Sequence, residues 1–144
     1  MESREEARGG RLTEEFRGRT KRFASSVIRL YVRLPKAREE VRTLGKQLLR
    51  SGTSVAAHVR EASRARSEAE FIAKLGVALQ EADESLLWLE LLREECGVNA
   101  SETQPLEQEA SELIAIMTTM ITRTEPPFPT LPLPLPPKPP PVAD

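Results

Sequence analysis

The sequence predicts an all-α fold: an antiparallel up-down four-helix bundle followed by a disordered proline-rich C-terminal tail. Three observations carry that expectation. Apolar residues recur every three or four positions in four separate stretches between Leu12 and Thr124, the period of one helix face. Helix-start and helix-stop residues separate those stretches into similar lengths with short connections, which favours antiparallel neighbours. Ten of the twelve prolines lie after Glu125, where the missing backbone donors rule out a helix or a sheet ladder. The expected organisation is a flexible N-terminus (1–11), a bundle (12–124) and a tail (125–144).

The first helix should begin at Thr13, whose hydroxyl can accept from first-turn amides, with Glu14 and Glu15 at the positive helix end. Phe16, Thr20, Phe23, Val27, Tyr31 and Leu34 form its apolar stripe, and Pro35 closes it. The second helix is expected from about Lys36 to Ala62, with Val41, Leu44, Leu48, Val55 and Val59 inward. Gly45 and Gly52 each cost about 1 kcal/mol against alanine in a helix interior. Two readings of this small-residue centre are open: close approach of a neighbouring helix, or a kink. Ser67 and Glu70 have the spacing of a capping box for the third helix, which runs to about Cys96 with Gly97 as its C-terminal cap. The fourth helix should start between Ser101 and Pro105 and bury Leu106, Ala110, Leu113, Ile114, Met117 and Ile121. The prolines beyond it suit extended polyproline II, either as a plain solvated extension or as a ligand for a polyproline-binding partner.

The third helix has more apolar surface than one core can bury. Leu86, Leu87, Trp88, Leu89, Leu91 and Leu92 crowd seven consecutive positions and cover most of its circumference. Such a surface on a lone subunit is unusual, so part of it, with Leu87, Trp88 and Leu91 as the candidate interface, is expected to pack against another copy. The alternative places Trp88 over the core edge.

Chemistry is sparse. The only histidine, His58, sits mid-helix within reach of the Thr53 and Ser54 hydroxyls, without an evident third member of a catalytic triad. A carboxylate-bridged di-iron bundle needs two histidines, and the single Cys96 and His58 do not make a zinc site. No glycine-rich phosphate loop occurs. The expectation is therefore a non-enzyme without a cofactor or a metal. One cysteine fits a reducing cytoplasm, and no apolar run is long enough to cross a membrane.

What remains is charge. The net −1 hides a split: residues 1–66 hold 17 basic and 8 acidic side chains, and the rest hold 4 and 14. On the second helix Arg38, Arg42, Lys46 and Arg50 recur every four residues, a row able to hold RNA or DNA phosphates by counterion release. The same row could instead be a solvated face, or pair with Glu81, Asp83, Glu84, Glu90, Glu94 and Glu95 of the third helix. Steep salt dependence distinguishes phosphate binding from a protein-interaction scaffold. Glu61, near a helix C-terminus, opposes the macrodipole and needs a partner.

The stretches Ser51-Gly52-Thr53-Ser54-Val55-Ala56-Ala57-His58-Val59-Arg60-Glu61-Ala62 and Ser67-Glu68-Ala69-Glu70-Phe71-Ile72-Ala73-Lys74-Leu75 resemble the four-helix bundle proteins encoded in intervening sequences of bacterial large-subunit ribosomal RNA genes. That family is related to the accessory variability protein of diversity-generating retroelements. The family's pattern is a small-residue run followed by Asn and Glu, then Ser-x-x-Glu-Phe. The resemblance spans roughly Leu12 to Thr124. It implies homopentameric bundles, and its retroelement branch implies nucleic acid and a reverse transcriptase as partners. His58 stands where the pattern has Asn, and the proline tail is not part of it.

Overall fold

A computed structural model describes residues 12–124 and 137–142. The flexible start expected over 1–11 and most of the proline-rich tail lie outside the described residues. Residues 137–142 are exposed and carry no helix or strand. The rest forms four helices, α1 (Glu14–Arg33), α2 (Glu39–Ser63), α3 (Glu68–Glu94) and α4 (Ala100–Thr124).

Each helix packs against its sequence neighbour, and α1 meets α4 along a narrower seam that closes the bundle. Paired positions show that neighbours are antiparallel. Val27 of α1 lies against Gly52 of α2, and Tyr31 and Leu34 against Gly45. Arg38, at the start of α2, donates to the Cys96 carbonyl just past α3 (2.8 Å), whereas Ser51 meets Ser85 farther along (2.8 Å). Arg19 of α1 holds Glu109 of α4 through two hydrogen bonds of 2.9 and 2.8 Å.

The helix ends follow local chemistry. Thr13 caps α1, its Oγ1 accepting from the Phe16 amide at 3.1 Å. Lys36 then turns back, Nζ donating to the carbonyls of Tyr31 (2.9 Å) and Val32 (3.2 Å). That turn is why α2 begins at Glu39 and not at Lys36: the residues after Pro35 serve the end of α1 before a new helix starts. Ser67 caps α3 by accepting from the Glu70 amide. Gly97 has φ +70°, the left-handed conformation suited to glycine, and beyond it the Val98 amide reaches back to the Leu92 carbonyl. Helix α4 starts at Ala100, slightly earlier than expected, because Asn99 Oδ1 accepts from the Ser101 amide at 2.9 Å. Pro105 consequently sits in the second turn.

The core is aliphatic, with Leu30, Leu48, Leu75, Leu89, Leu92, Leu113 and Met117 fully buried. Each such side chain removes roughly 1.5–3 kcal/mol of apolar surface cost from water. The glycine question resolves as close approach, for α2 is one helix from Glu39 to Ser63. A Cβ at Gly52 would stand 2.8 Å from Val27 Cγ2, and one at Gly45 2.9 Å from Leu34 Cδ1. A fully buried polar pair, Ser51–Ser85, lies between α2 and α3, with Ser85 also donating to the Glu81 carbonyl at 2.8 Å.

Candidate docking and nucleic-acid surfaces

The inward stripe of α3 runs through Phe71, Leu75, Ala78, Ala82, Ser85, Leu89 and Leu92. Turning the helix outward brings up Ala73, Val77, Gln80, Glu84, Leu87 and Leu91, spaced alternately four and three residues apart, so they too share one face. Val77 is 36% exposed and Leu87 47% exposed. Leu91 and Trp88 are half-buried, and Trp88 packs against the core edge. Its Nε1 is buried without a hydrogen-bond partner among the described residues. Of the three sequence candidates, Leu87 is thus the one that faces solvent most fully. Helix α3 carries apolar side chains on two opposite sides, which a subunit with a single core does not require.

A second exposed apolar pair escaped the sequence reading. On α1, Ile28 is 44% and Val32 68% exposed, one position beyond the buried Val27 and half-buried Tyr31. The signal was available: neither residue belongs to the stripe Phe16, Thr20, Phe23, Val27, Tyr31 and Leu34. Among the described residues of the bundle, the large exposed hydrophobics are these two and the pair on α3.

The basic row of α2 is partly engaged. Arg38 pairs with Glu40 at 2.9 Å besides its carbonyl contact, Arg42 pairs with Glu39, and Arg50 reaches Glu84 at 3.2 Å and Glu81 at 3.6 Å. Lys46 is exposed and has no ion-pair partner among the described residues. The structure therefore places the four along one helix, but commits three of them to carboxylates of the same chain. Two further exposed cations, Arg60 and Arg64, flank an open groove on α2 floored by Ala56 and Ala57, with Glu61 beside them. Glu61 finds the partner its position demands in Lys74 of α3, at 3.2 Å.

Other charged contacts are structural. Arg93 of α3 grips Glu107 of α4 at 3.0 and 2.9 Å, and these bonds hold the Glu107 carboxyl below the usual glutamate range. The same contact raises Arg93, and Arg19 is raised chiefly by its bond to Glu109. His58 is half-buried, and its Nδ1 lies 2.9 Å from the Ser54 carbonyl, which makes Nδ1–H the donor. The Ser54 backbone carbonyl takes this bond, and neither the Thr53 nor the Ser54 hydroxyl does. Among the described residues no three His, Cys, Asp or Glu side chains are grouped to hold a metal ion, and no helix is long and apolar enough to cross a membrane.

Comparison with known proteins agrees with this architecture. No curated protein gives a significant match. A solved structure of a protein of unknown function from the S23 ribosomal protein family of Bacteroides thetaiotaomicron superposes with a TM-score of 0.65 at 34% identity, covering 73% of this chain and 96% of that one. Residues 15–119 match the family described as 23S rRNA-intervening sequence protein. With the family pattern matched across most of α1 to α4 and a relative of the same bundle fold, the chain belongs to the 23S rRNA-intervening sequence protein family.

Proposed function

We propose that this chain is a non-enzymatic subunit that assembles with copies of itself through the outer face of α3, and that the assembled bundles hold RNA or DNA by its phosphates along α2. The second apolar face of α3, with Leu87 47% exposed beside Leu91 and Val77, carries the proposal. Leaving it wet would be unfavourable by the same apolar transfer term that drives the core together. Five copies is the number the family resemblance implies, and the single buried Cys96 suits a cytoplasmic setting. On the nucleic-acid side, Lys46, Arg60 and Arg64 offer cations without a carboxylate partner among the described residues, and Arg60 and Arg64 stand beside the small residues Ala56 and Ala57, which leave room for a phosphate. Repetition of that face in an oligomer multiplies the phosphates neutralised, and affinity grows with their number.

Light scattering on the purified chain at micromolar concentration should give a mass several times that of one subunit, and Leu87→Glu should reduce it. A monomeric wild type would overturn self-association. Retardation of RNA or DNA at low salt, weakening log-linearly as salt rises, is expected for phosphate contacts. Absence of retardation at low salt would leave a protein-interaction scaffold. That second reading is favoured by the carboxylates already paired with Arg38, Arg42 and Arg50.

A further inference from the structure

The four large exposed hydrophobics of the bundle fall on two helices that do not touch. Ile28 and Val32 belong to α1, and Val77 and Leu87 to α3. Helix α1 packs on α2 and α4, and α3 packs on the same two, so α1 and α3 are diagonal across the bundle. Their solvent faces therefore point in opposite directions.

Both faces have the spacing of a helix–helix seam. On α1 it reads Gly18, Lys21, Ser25, Ile28 and Val32; on α3 it reads Ala73, Val77, Gln80, Glu84, Leu87 and Leu91. Steps alternating between three and four residues keep a seam on one side of a helix over several turns. The surrounding charge is opposite. Helix α1 has six basic and two acidic residues, a net +4, and α3 has two basic and seven acidic, a net −5. Lys21 within the α1 face, and Arg22 and Arg29 beside it, have no ion-pair partner among the described residues, and neither does Asp83 on the acidic side of α3.

We propose that the outer face of α1 in one copy docks onto the outer face of α3 in the next, Ile28 and Val32 packing against the apolar patch around Leu87. This rests on the self-association proposed above and specifies its partner surface. Two-fold pairing of α3 with α3 would set acidic faces against each other and leave the α1 patch wet. Pairing of α1 with α1 would do the same with basic faces. A head-to-tail contact neutralises charge and covers both patches on every subunit once the ring closes.

The arrangement has a further consequence for α2. Because α1 and α3 flank it on either side, a closed ring lines up the α2 faces of all copies on one wall and the α4 faces on the other. Outward residues of α2 include Arg42, Lys46, Arg50 and Arg60, while α4 carries four acidic residues against one basic. One wall would carry these cations, of which Lys46 and Arg60 have no ion-pair partner among the described residues, and the other the acidic excess of α4.

Mixing of two defective chains tests the contact. One chain carries Ile28→Asp and Val32→Asp, the other Leu87→Glu. All three positions are exposed, and circular dichroism establishes that each chain stays helical. Each alone should be monomeric by light scattering. An equimolar mixture should give a species of one copy of each and nothing larger, because just one intact α1 face and one intact α3 face remain to meet. If the α1 variant alone forms a dimer or keeps the wild-type mass, head-to-tail docking is wrong while association through α3 survives. A mixture that stays monomeric also overturns it. A wild type that is itself monomeric defeats the self-association on which it rests.

Discussion

Gly52→Ala is expected to destabilise the bundle even though alanine is the better helix former. In an exposed helix interior the exchange gains about 1 kcal/mol. Here the new Cβ would stand 2.8 and 2.9 Å from the two methyl carbons of Val27 and 3.1 Å from its Cβ, well inside the roughly 3.5–4.0 Å at which carbon atoms attract. Val27 is fully buried and β-branched, so in a helix its side chain has essentially one rotamer and neither methyl can swing away. Relief requires α1 and α2 to separate along a seam that also holds Gly45 against Tyr31 and Leu34. Overpacking of this kind costs about 1–3 kcal/mol. The net is a loss of about 1 kcal/mol, or a Tm lower by about 3–6 °C for a domain of this size. Gly76→Ala is the control: it lies inside α3 with nothing within 4 Å of the added carbon, so it should stabilise by about 1 kcal/mol. Thermal and urea unfolding followed by circular dichroism, at one protein concentration, measures both. In a Val27→Ala background the Gly52→Ala exchange should turn favourable. Equal stabilisation by Gly52→Ala and Gly76→Ala in the wild-type background would refute the close approach.

Ser51→Ala should cost about 1 kcal/mol by removing a buried hydrogen bond, whereas Ser51→Ala with Ser85→Ala should cost less than the two single changes added together, as a double-mutant cycle of urea unfolding would read. Glu107 has its carboxyl lowered by Arg93, so its contribution is complete above the unfolded-state value of about 4.3 and disappears as pH falls through the lower folded-state value. Glu107→Gln should therefore lower Tm at neutral pH and flatten the fall of Tm on acidification below the unfolded-state value of about 4.3 relative to wild type. In filter binding to RNA or DNA, Lys46→Ala should weaken retention more than Arg50→Ala and reduce the salt slope by about one.

Much of the fold is legible because its signals are local. Thr13, Pro35, Ser67 and Gly97 each act within a few residues of themselves, and the structure uses all four as helix boundaries. The two displaced helix starts come from residues with a second duty: Lys36 caps the helix before it, and Asn99 extends the helix after it. The small residues of α2 left two outcomes open because the choice between a kink and a close approach depends on Val27, which is 25 positions away in sequence. At the candidate site the surplus on α3 could be read because six large apolar residues fall within seven positions. The patch on α1 could not be read so directly. Ile28 and Val32 fall outside the inward stripe, but two apolar residues beside a complete stripe are a weaker signal than six crowded into seven positions. Pairing of the basic row with Glu81 and Glu84 was one of the readings open in the sequence, but which cation makes it depends on the register between α2 and α3, and that cation is Arg50.

Those pairings weaken the nucleic-acid role proposed for the row without abolishing it. The side chains of Arg38, Arg42 and Arg50 are 49%, 44% and 56% exposed, and an exposed ion pair is worth about 0–1 kcal/mol because water screens it and both side chains lose freedom. A phosphate can therefore exchange with a carboxylate at small cost. The carboxylate nevertheless stays nearby after the exchange and repels the incoming phosphate. Arg50, facing Glu81 and Glu84, meets that repulsion twice, while Lys46 one turn earlier meets none among the described residues. Effective positive charge along α2 thus concentrates on Lys46, Arg60 and Arg64, and not evenly along the row spaced by four. Three such cations per subunit make a weak anchor for a single bundle. Repeated around a ring, they would give the phosphate count on which counterion release depends, so the binding of nucleic acid and the docking of α1 on α3 should be lost together.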